Sequence, residues 1–181
     1  DLMRIPIFSM SIGTSICSFT GQMLAMLSLP FFLQETLERS DVITGLLLTP
    51  WPIATMIIAP LAGRLVERIH AGILGGIGMT IFATGLFLLA ILPSNPTNMD
   101  IIWRLFICGS GFGLFQTPNN STIISSAPSN RSGGASGMLG TARLLGQTLG
   151  ATQVAMIFYL VPINSSQTCL YLATGFAAVA A

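Results

Sequence analysis

Long apolar stretches alternate with short polar connections along the whole chain. The apolar stretches cover residues of about 5–33, 42–62, 72–92, 101–124, 134–160 and 169–181. The hydrocarbon core of a bilayer is about 30 Å thick, so a helix needs roughly 20 apolar residues to cross it. These stretches are continuously apolar, whereas the strands of a membrane β-barrel alternate over about ten positions. The pattern predicts an all-α polytopic membrane protein with six transmembrane helices, the last of them truncated.

The composition excludes an ordinary soluble domain. Hydrophobic residues make up 52% of the chain and charged residues 7%, and the mean hydropathy is +0.79, whereas soluble domains carry about a quarter charged residues. All seven cationic side chains are arginines, and they form no basic run that would bind nucleic acid. The chain begins at Asp1 and stops inside an apolar stretch at Ala181. We therefore expect a fragment of a longer, bilayer-embedded protein.

The charges of the connections favour one orientation in the membrane. One side of the predicted bundle carries Arg4, Arg64, Arg68 and Arg131. The other side carries mainly acids, namely Glu35, Glu38, Asp41 and Asp100, against Arg39. Arginine is enriched in cytoplasmic connections, so we expect the N-terminus of the chain to be cytoplasmic.

Small residues and prolines interrupt the apolar stretches. Three glycine pairs are spaced four residues apart: Gly72 and Gly76, Gly109 and Gly113, and Gly146 and Gly150. Small residues at this spacing let helices approach closely in lipid, and the pairs are read as packing positions or as features of a bundle that moves. Four prolines lie inside stretches and are expected to bend or interrupt them: Pro50, Pro52, Pro60 and Pro118.

Arg143 is the most informative polar residue. It lies about nine residues into the fifth stretch, which places it roughly 13 Å from the membrane edge at 1.5 Å per residue. An arginine at that depth costs roughly 2.5–3.5 kcal/mol on insertion scales, so it is expected to face the bundle interior or a wet cavity. Arg143 belongs to a stripe of small and polar residues on one face of the predicted helix: Ser136, Gly140, Arg143, Gln147 and Gly150.

A second polar patch lies on the fourth stretch. Gln116, Asn119 and Asn120 are spaced at i, i+3 and i+4, and Phe112 precedes them by one turn. Gln116 is roughly 12 Å from the same membrane edge, so we expect the two patches to line one substrate cavity. The alternative is that the amides only bond neighbouring helices. Trp51, between two prolines, is either a further cavity residue or a packing residue.

Catalytic and metal chemistry is not predicted. His70 lies alone in a connection, and Cys17, Cys108 and Cys169 are scattered without the paired spacing of a metal site. No nucleophile and base occur together, so we expect neither an enzyme nor a cofactor. No Asp or Glu lies at mid-depth in any stretch, which leaves Arg143 without a carboxylate partner in this chain.

The connection between the second and third stretches reads Gly63-Arg64-Leu65-Val66-Glu67-Arg68. It resembles the signature loop of the major facilitator superfamily, in the weaker form found in the C-terminal half. The resemblance implies a cytoplasmic gating loop, in which Gly63 allows close packing while Glu67 exchanges partners with Arg64 and Arg68 as access alternates.

The segments from Arg104 to Asn120 and from Ser136 to Gln147 resemble bacterial drug:proton antiporters with fourteen spans. The likeness implies that the chain forms the last six spans, that an N-terminal half is missing, and that the protein exports small lipophilic toxic compounds across the bacterial inner membrane in exchange for protons. The proton-carrying carboxylate is then expected in the missing half. Alternatives are a carrier of a small metabolite, a channel without coupling, and a membrane scaffold.

Overall fold

The computed structural model describes residues 2–93, 95–161 and 163–181. These residues form helices without a strand: α1 Pro6–Phe31, α2 Asp41–Leu48, α3 Pro50–Leu65, α4 Ala71–Ala90, α5 Asn98–Ser125, α6 Ser132–Leu160 and α7 Ser165–Val179. A π-helical turn, Phe32–Thr36, extends α1, and short 3-10 turns precede α1 and α6. The predicted all-α fold is confirmed.

The second predicted span consists of two consecutive helices. Pro50 has no N–H to donate to the carbonyl of Leu46. The N–H of Thr49 donates to that carbonyl oxygen instead, at 3.3 Å. Helix α2 therefore ends at Leu48 and α3 begins at Pro50. Together they form one traverse, so the bundle has six. Pro60 and Pro118 lie inside continuous helices, so the expected interruption occurs at Pro50 and not there.

Helices α1 and α5 organise the bundle. Helix α5 packs mainly against α3 and α4, whereas α1 packs mainly against α6 and α7, and α1 and α5 also touch each other. A Cβ atom on Gly109 would overlap the carbonyl oxygen of Trp51, and one on Gly146 would lie 2.6 Å from that of Ile16. Two predicted glycine pairs are thus close-packing positions. In the remaining pair, a Cβ atom on Gly72 would lie 3.3 Å from the His70 ring, and one on Gly76 would lie 3.2 Å from the carbonyl oxygen of Ala181.

The outer surface of the bundle is apolar. Ile7, Val42, Met56, Met99 and Met156 expose between 60% and 73% of their area, which a monomeric soluble protein rarely tolerates over a continuous surface. Three helical segments are long and apolar enough to cross a bilayer: Pro6–Thr36, Asp41–Leu65 and Ala71–Ala90. The remaining helices are more polar, or shorter in the case of α7, which has 15 residues.

Candidate functional site

A half-open cavity of about 330 Å³ lies between α1, α3, α5 and α6. Four of the residues that the sequence indicates for a substrate cavity line it: Trp51, Phe112, Gln116 and Arg143. The expected meeting of α5 and α6 at the level of Gln116 and Arg143 is therefore present. Whether these side chains bind a substrate stays a prediction.

An aromatic ladder forms the back of the cavity and joins five helices. The ring of Trp51 on α3 lies 5.6 Å from that of Phe82 on α4, which lies 5.5 Å from that of Phe112 on α5. Phe112 in turn meets Phe19 on α1 edge to face at 5.6 Å. The guanidinium carbon of Arg143 on α6 lies 5.5 Å from the centre of the Phe19 ring, within the range of a cation–π contact. The ladder thus ends in a positive charge.

Some polar groups of the cavity form hydrogen bonds within the protein, and others do not. The Thr55 hydroxyl donates to backbone carbonyls, that of Gly109 at 3.0 Å and that of Trp51 at 3.1 Å. The indole N–H of Trp51 is buried and has no acceptor among the described residues. Such an orphan donor costs roughly 1–3 kcal/mol. Arg143 is exposed in this bundle, and Gln116 is half-buried.

Sequence reasoning missed the contribution of α1. Phe19, Gln22 and Met26 lie on one face of α1 and line the cavity, as do Thr55 and Met56 of α3. A signal was present in Gln22, a polar side chain in the middle of the longest apolar stretch, at i+3 from an aromatic residue. The ladder residue Phe82 gave no such signal, because nothing in its own segment distinguishes it from core phenylalanines.

Asn119 lies away from this cavity and joins α5 to α1. Its Nδ2 donates to the Ser15 hydroxyl at 2.7 Å and to the Ser11 carbonyl at 3.3 Å, while the Thr14 hydroxyl donates to its Oδ1 at 3.4 Å. The reason is rotation about the helix axis: residues three apart differ by about 60° in direction, which turns Asn119 towards α1. Its placement matches the packing alternative.

Asn120 and Gln147 are half-buried and do not line the cavity. Gln147 is followed on the same helix by Gly150, where a Cβ atom would lie 2.7 Å from the Cβ atom of Met23. The stripe on α6 therefore divides, since Arg143 faces the cavity whereas Gly150 packs against α1.

The predicted gating loop is only partly a connection, because Gly63 and Arg64 lie inside α3, which ends at Leu65. The N–H groups of Arg68 and Ile69 both donate to the carbonyl of Leu65, at 2.9 and 2.8 Å, and close a turn before α4. The side chains of Arg64, Glu67 and Arg68 are exposed. A Cβ atom on Gly63 would lie 3.7 Å from the Thr117 methyl group, an ordinary contact. Close helix packing alone does not require glycine at this position.

A larger cavity of about 630 Å³ lies between α1, α4, α5 and α7. His70, Phe115, Asn119 and Ala181 are among its lining residues. Its volume exceeds that of the first cavity, but Asn119 is already bonded to α1 and no Asp, Glu or Arg lines it. Volume alone does not make a binding site, so the smaller cavity, which combines aromatic rings with the polar groups of Gln116 and Arg143, is the better candidate.

A helical bundle with three segments long and apolar enough to cross a bilayer, built around a cavity of aromatic and polar residues, is typical of a multi-pass membrane protein of the transporter class. Residues 2–151 match the sequence profile of the Major Facilitator Superfamily, and the chain belongs to that family. The family consists of transporters, in agreement with the resemblance of the loop at Gly63.

Individual relatives agree with this assignment. The chain is 61% identical over 181 residues to the uncharacterized transporter YebQ of Escherichia coli K12, which is all of this chain and 40% of that protein. It is 33% identical over 150 residues to the multidrug resistance protein Stp of Mycobacterium tuberculosis, 82% of this chain and 28% of that protein. It is 29% identical over 143 residues to the riboflavin transporter RibZ of Clostridioides difficile, 79% of this chain and 31% of that protein. The chain thus spans two fifths or less of the length of these relatives.

Proposed function

We propose that this chain forms the C-terminal half of a proton-coupled multidrug exporter that works by alternating access. Similarity to the multidrug resistance protein Stp supports the export of drugs. The location would be the bacterial inner membrane, with the start of α1 on the cytoplasmic side. The arginines of the connections, Arg4, Arg64, Arg68 and Arg131, support that orientation because they lie at one end of the bundle.

The cavity at the aromatic ladder is the observation that carries this proposal. A site for lipophilic compounds needs apolar area with few polar groups to orient the ligand. Phe19, Phe112 and Trp51 supply the apolar wall, and Gln116 and Arg143 supply polar groups beside it. The cavity is open on one side. In the complete protein, the N-terminal half would close that side, and the substrate would bind between the halves.

Proton coupling needs a group that changes its protonation as access alternates. The carboxylates of the described chain are Glu35, Glu38, Asp41, Glu67 and Asp100, and none of them lines the cavity. The coupling carboxylate would therefore lie in the N-terminal half. The exposed acid and bases of the loop, Glu67 with Arg64 and Arg68, would exchange partners with that half as the cytoplasmic side opens and closes.

The test is proton-driven efflux of a lipophilic dye from everted membrane vesicles that contain the complete protein. Wild type is expected to export the dye, and a protonophore is expected to abolish export. Gln116→Ala and Arg143→Ala are expected to lose export at equal expression. Thr148→Ala is the matched control, because its exposed hydroxyl bonds only to its own helix, at Leu144. Normal export by both cavity variants would remove these residues from the site.

A carrier of a small metabolite is the second candidate. Similarity to the riboflavin transporter RibZ favours it, because a flat ring system also suits an aromatic wall. Uptake of a metabolite that saturates without a proton gradient would select this alternative. A channel or a scaffold would show neither saturation nor concentrative transport.

A further inference from the structure

The part of the cavity that this chain supplies carries a net positive charge. Among the described residues of its lining, Arg143 alone is charged, and the described carboxylates all lie in the connections or at the ends of helical segments. A cationic ligand in a cavity of about 330 Å³ would lie within a few ångströms of the guanidinium. Like charges at such distances repel, and the repulsion would be stronger in the complete protein, where the N-terminal half would exclude water from the cavity.

The lining also offers more hydrogen-bond donors than acceptors. The guanidinium offers up to five N–H groups and has no acceptor atom. The indole N–H of Trp51 also has no acceptor within the described chain, but it is buried, so it becomes available to a ligand only if the side chain moves. Gln22 and Gln116 each add an amide that both donates and accepts. Thr55 has already donated its hydroxyl proton to the backbone. A ligand rich in acceptors would match these groups better than a ligand rich in donors.

The position of the guanidinium suits an acid attached to a flat ring. Arg143 lies 5.5 Å from the centre of the Phe19 ring, and Phe19 meets Phe112 edge to face. Both rings line the cavity although they are only 3% and 2% exposed, and a planar ligand packed against them would bring a substituent at its edge beside Arg143. An arginine binds a carboxylate or sulfonate through paired N–H groups, about twice as strongly as neutral partners bond.

We infer that the substrates of this cavity are flat aromatic compounds with an acidic group, and that Arg143 selects them over lipophilic cations. The inference rests on the proposed function only in taking this cavity as the transport site. The rings would lie along Phe19 and Phe112, and the acid would pair with the Arg143 guanidinium. The aromatic wall alone would bind lipophilic compounds of either charge, whereas the site with Arg143 would favour acids.

Three probes that share one ring system test the inference: anthracene carboxylate, anthracenemethanol and anthracenylmethyl-trimethylammonium. Binding to the purified complete protein in lipid nanodiscs is followed by energy transfer from tryptophan to anthracene. Wild type is expected to bind the carboxylate at least about tenfold more tightly than the cation, a difference of about 1.4 kcal/mol. Arg143→Gln is expected to remove that preference while binding of the neutral alcohol changes little.

Two further variants keep the test interpretable. Arg131→Gln removes a charge at the start of the same helix, outside the cavity, and is expected to keep the preference. Arg143→Lys keeps the charge but loses the paired geometry, and is expected to retain part of the preference. If Arg143→Gln does not fold, Arg143→Lys still tests the role of Arg143, and a wild-type protein without preference for the acid refutes the inference without any variant.

Equal or tighter binding of the cation by wild type would overturn the inference. So would an unchanged preference in folded Arg143→Gln. Proton-driven export of anthracenemethanol without any preference for the acid would leave the proposed function intact and refute the inference alone. Selective binding of the acid without proton-driven export would support the inference and refute proton-coupled export.

Discussion

The contact between α1 and α6 depends on the absence of a side chain at Gly146. A Cβ atom there would lie 2.6 Å from the carbonyl oxygen of Ile16 and 2.8 Å from the Cβ atom of Phe19. Ordinary contact begins at 3.4 Å, so Gly146→Ala requires the two helices to separate by about 0.8 Å, the difference between 3.4 and 2.6 Å. The bond from the Thr20 hydroxyl to the Gly146 carbonyl, 3.2 Å long, would lengthen with them.

The same substitution at Gly140 provides the reference. Gly140 lies six residues earlier on α6, and a Cβ atom there would meet nothing within 4 Å. Replacing glycine by alanine favours a helix by up to about 1 kcal/mol at either position, so this contribution cancels in the comparison. Overpacking costs typically about 1–3 kcal/mol. We therefore expect Gly146→Ala to be less stable than Gly140→Ala by about 1–3 kcal/mol.

Unfolding in mixed detergent micelles on titration with dodecyl sulfate measures this difference. Circular dichroism reports the loss of helix, and a thiol-reactive dye reports exposure of Cys108, which is fully buried in the fold. Equal stability of the two alanine variants would refute the close packing of α1 against α6. Since Phe19 carries the Arg143 contact, Gly146→Ala is also expected to weaken binding of anthracene carboxylate, whereas Gly140→Ala is not.

Two further predictions concern α5, one at Asn119 and one at the start of the helix. In a double-mutant cycle, Asn119→Ala and Ser15→Ala are expected to couple by about 0.6 kcal/mol and at most about 1.7, as interhelical hydrogen bonds in membranes do, because their bond is 2.7 Å long and buried; additive losses of stability would contradict this contact. At the start of α5, just before the predicted span, the side-chain and backbone hydrogen bonds from Thr97 hold the pKa of Asp100 below its usual value. A lowered pKa in the folded state stabilises the protein above the unfolded pKa of about 3.9, and this contribution is lost as the pH falls through the folded value. Asp100→Asn is therefore expected to reduce the acid dependence of stability, and an unchanged acid profile would show that the capping box contributes nothing.

The resemblance to known transporters gave the family, but the residues of the site depended on geometry. Arg143 and Gln116 could be placed in one cavity from their depth alone, because each helical residue rises by a fixed distance. Asn119 could not be assigned in the same way, since its direction depends on where α1 lies. The sequence shows Gln22 as a polar residue within an apolar helix. It does not show which residues of the other helices lie across the cavity from Gln22.

The sequence by itself determined the helical, membrane-embedded class of the fold and the prolines at which a helix could break, and it predicted the depth of each polar residue. These properties are local: hydropathy, the missing proline N–H and the rise of a helix act within one segment. Only the tertiary structure decided which faces meet, because helix rotation depends on close contacts such as those at Gly109 and Gly146. Those contacts assemble the aromatic ladder from four separate helices and bring the Arg143 charge of a fifth helix to its end.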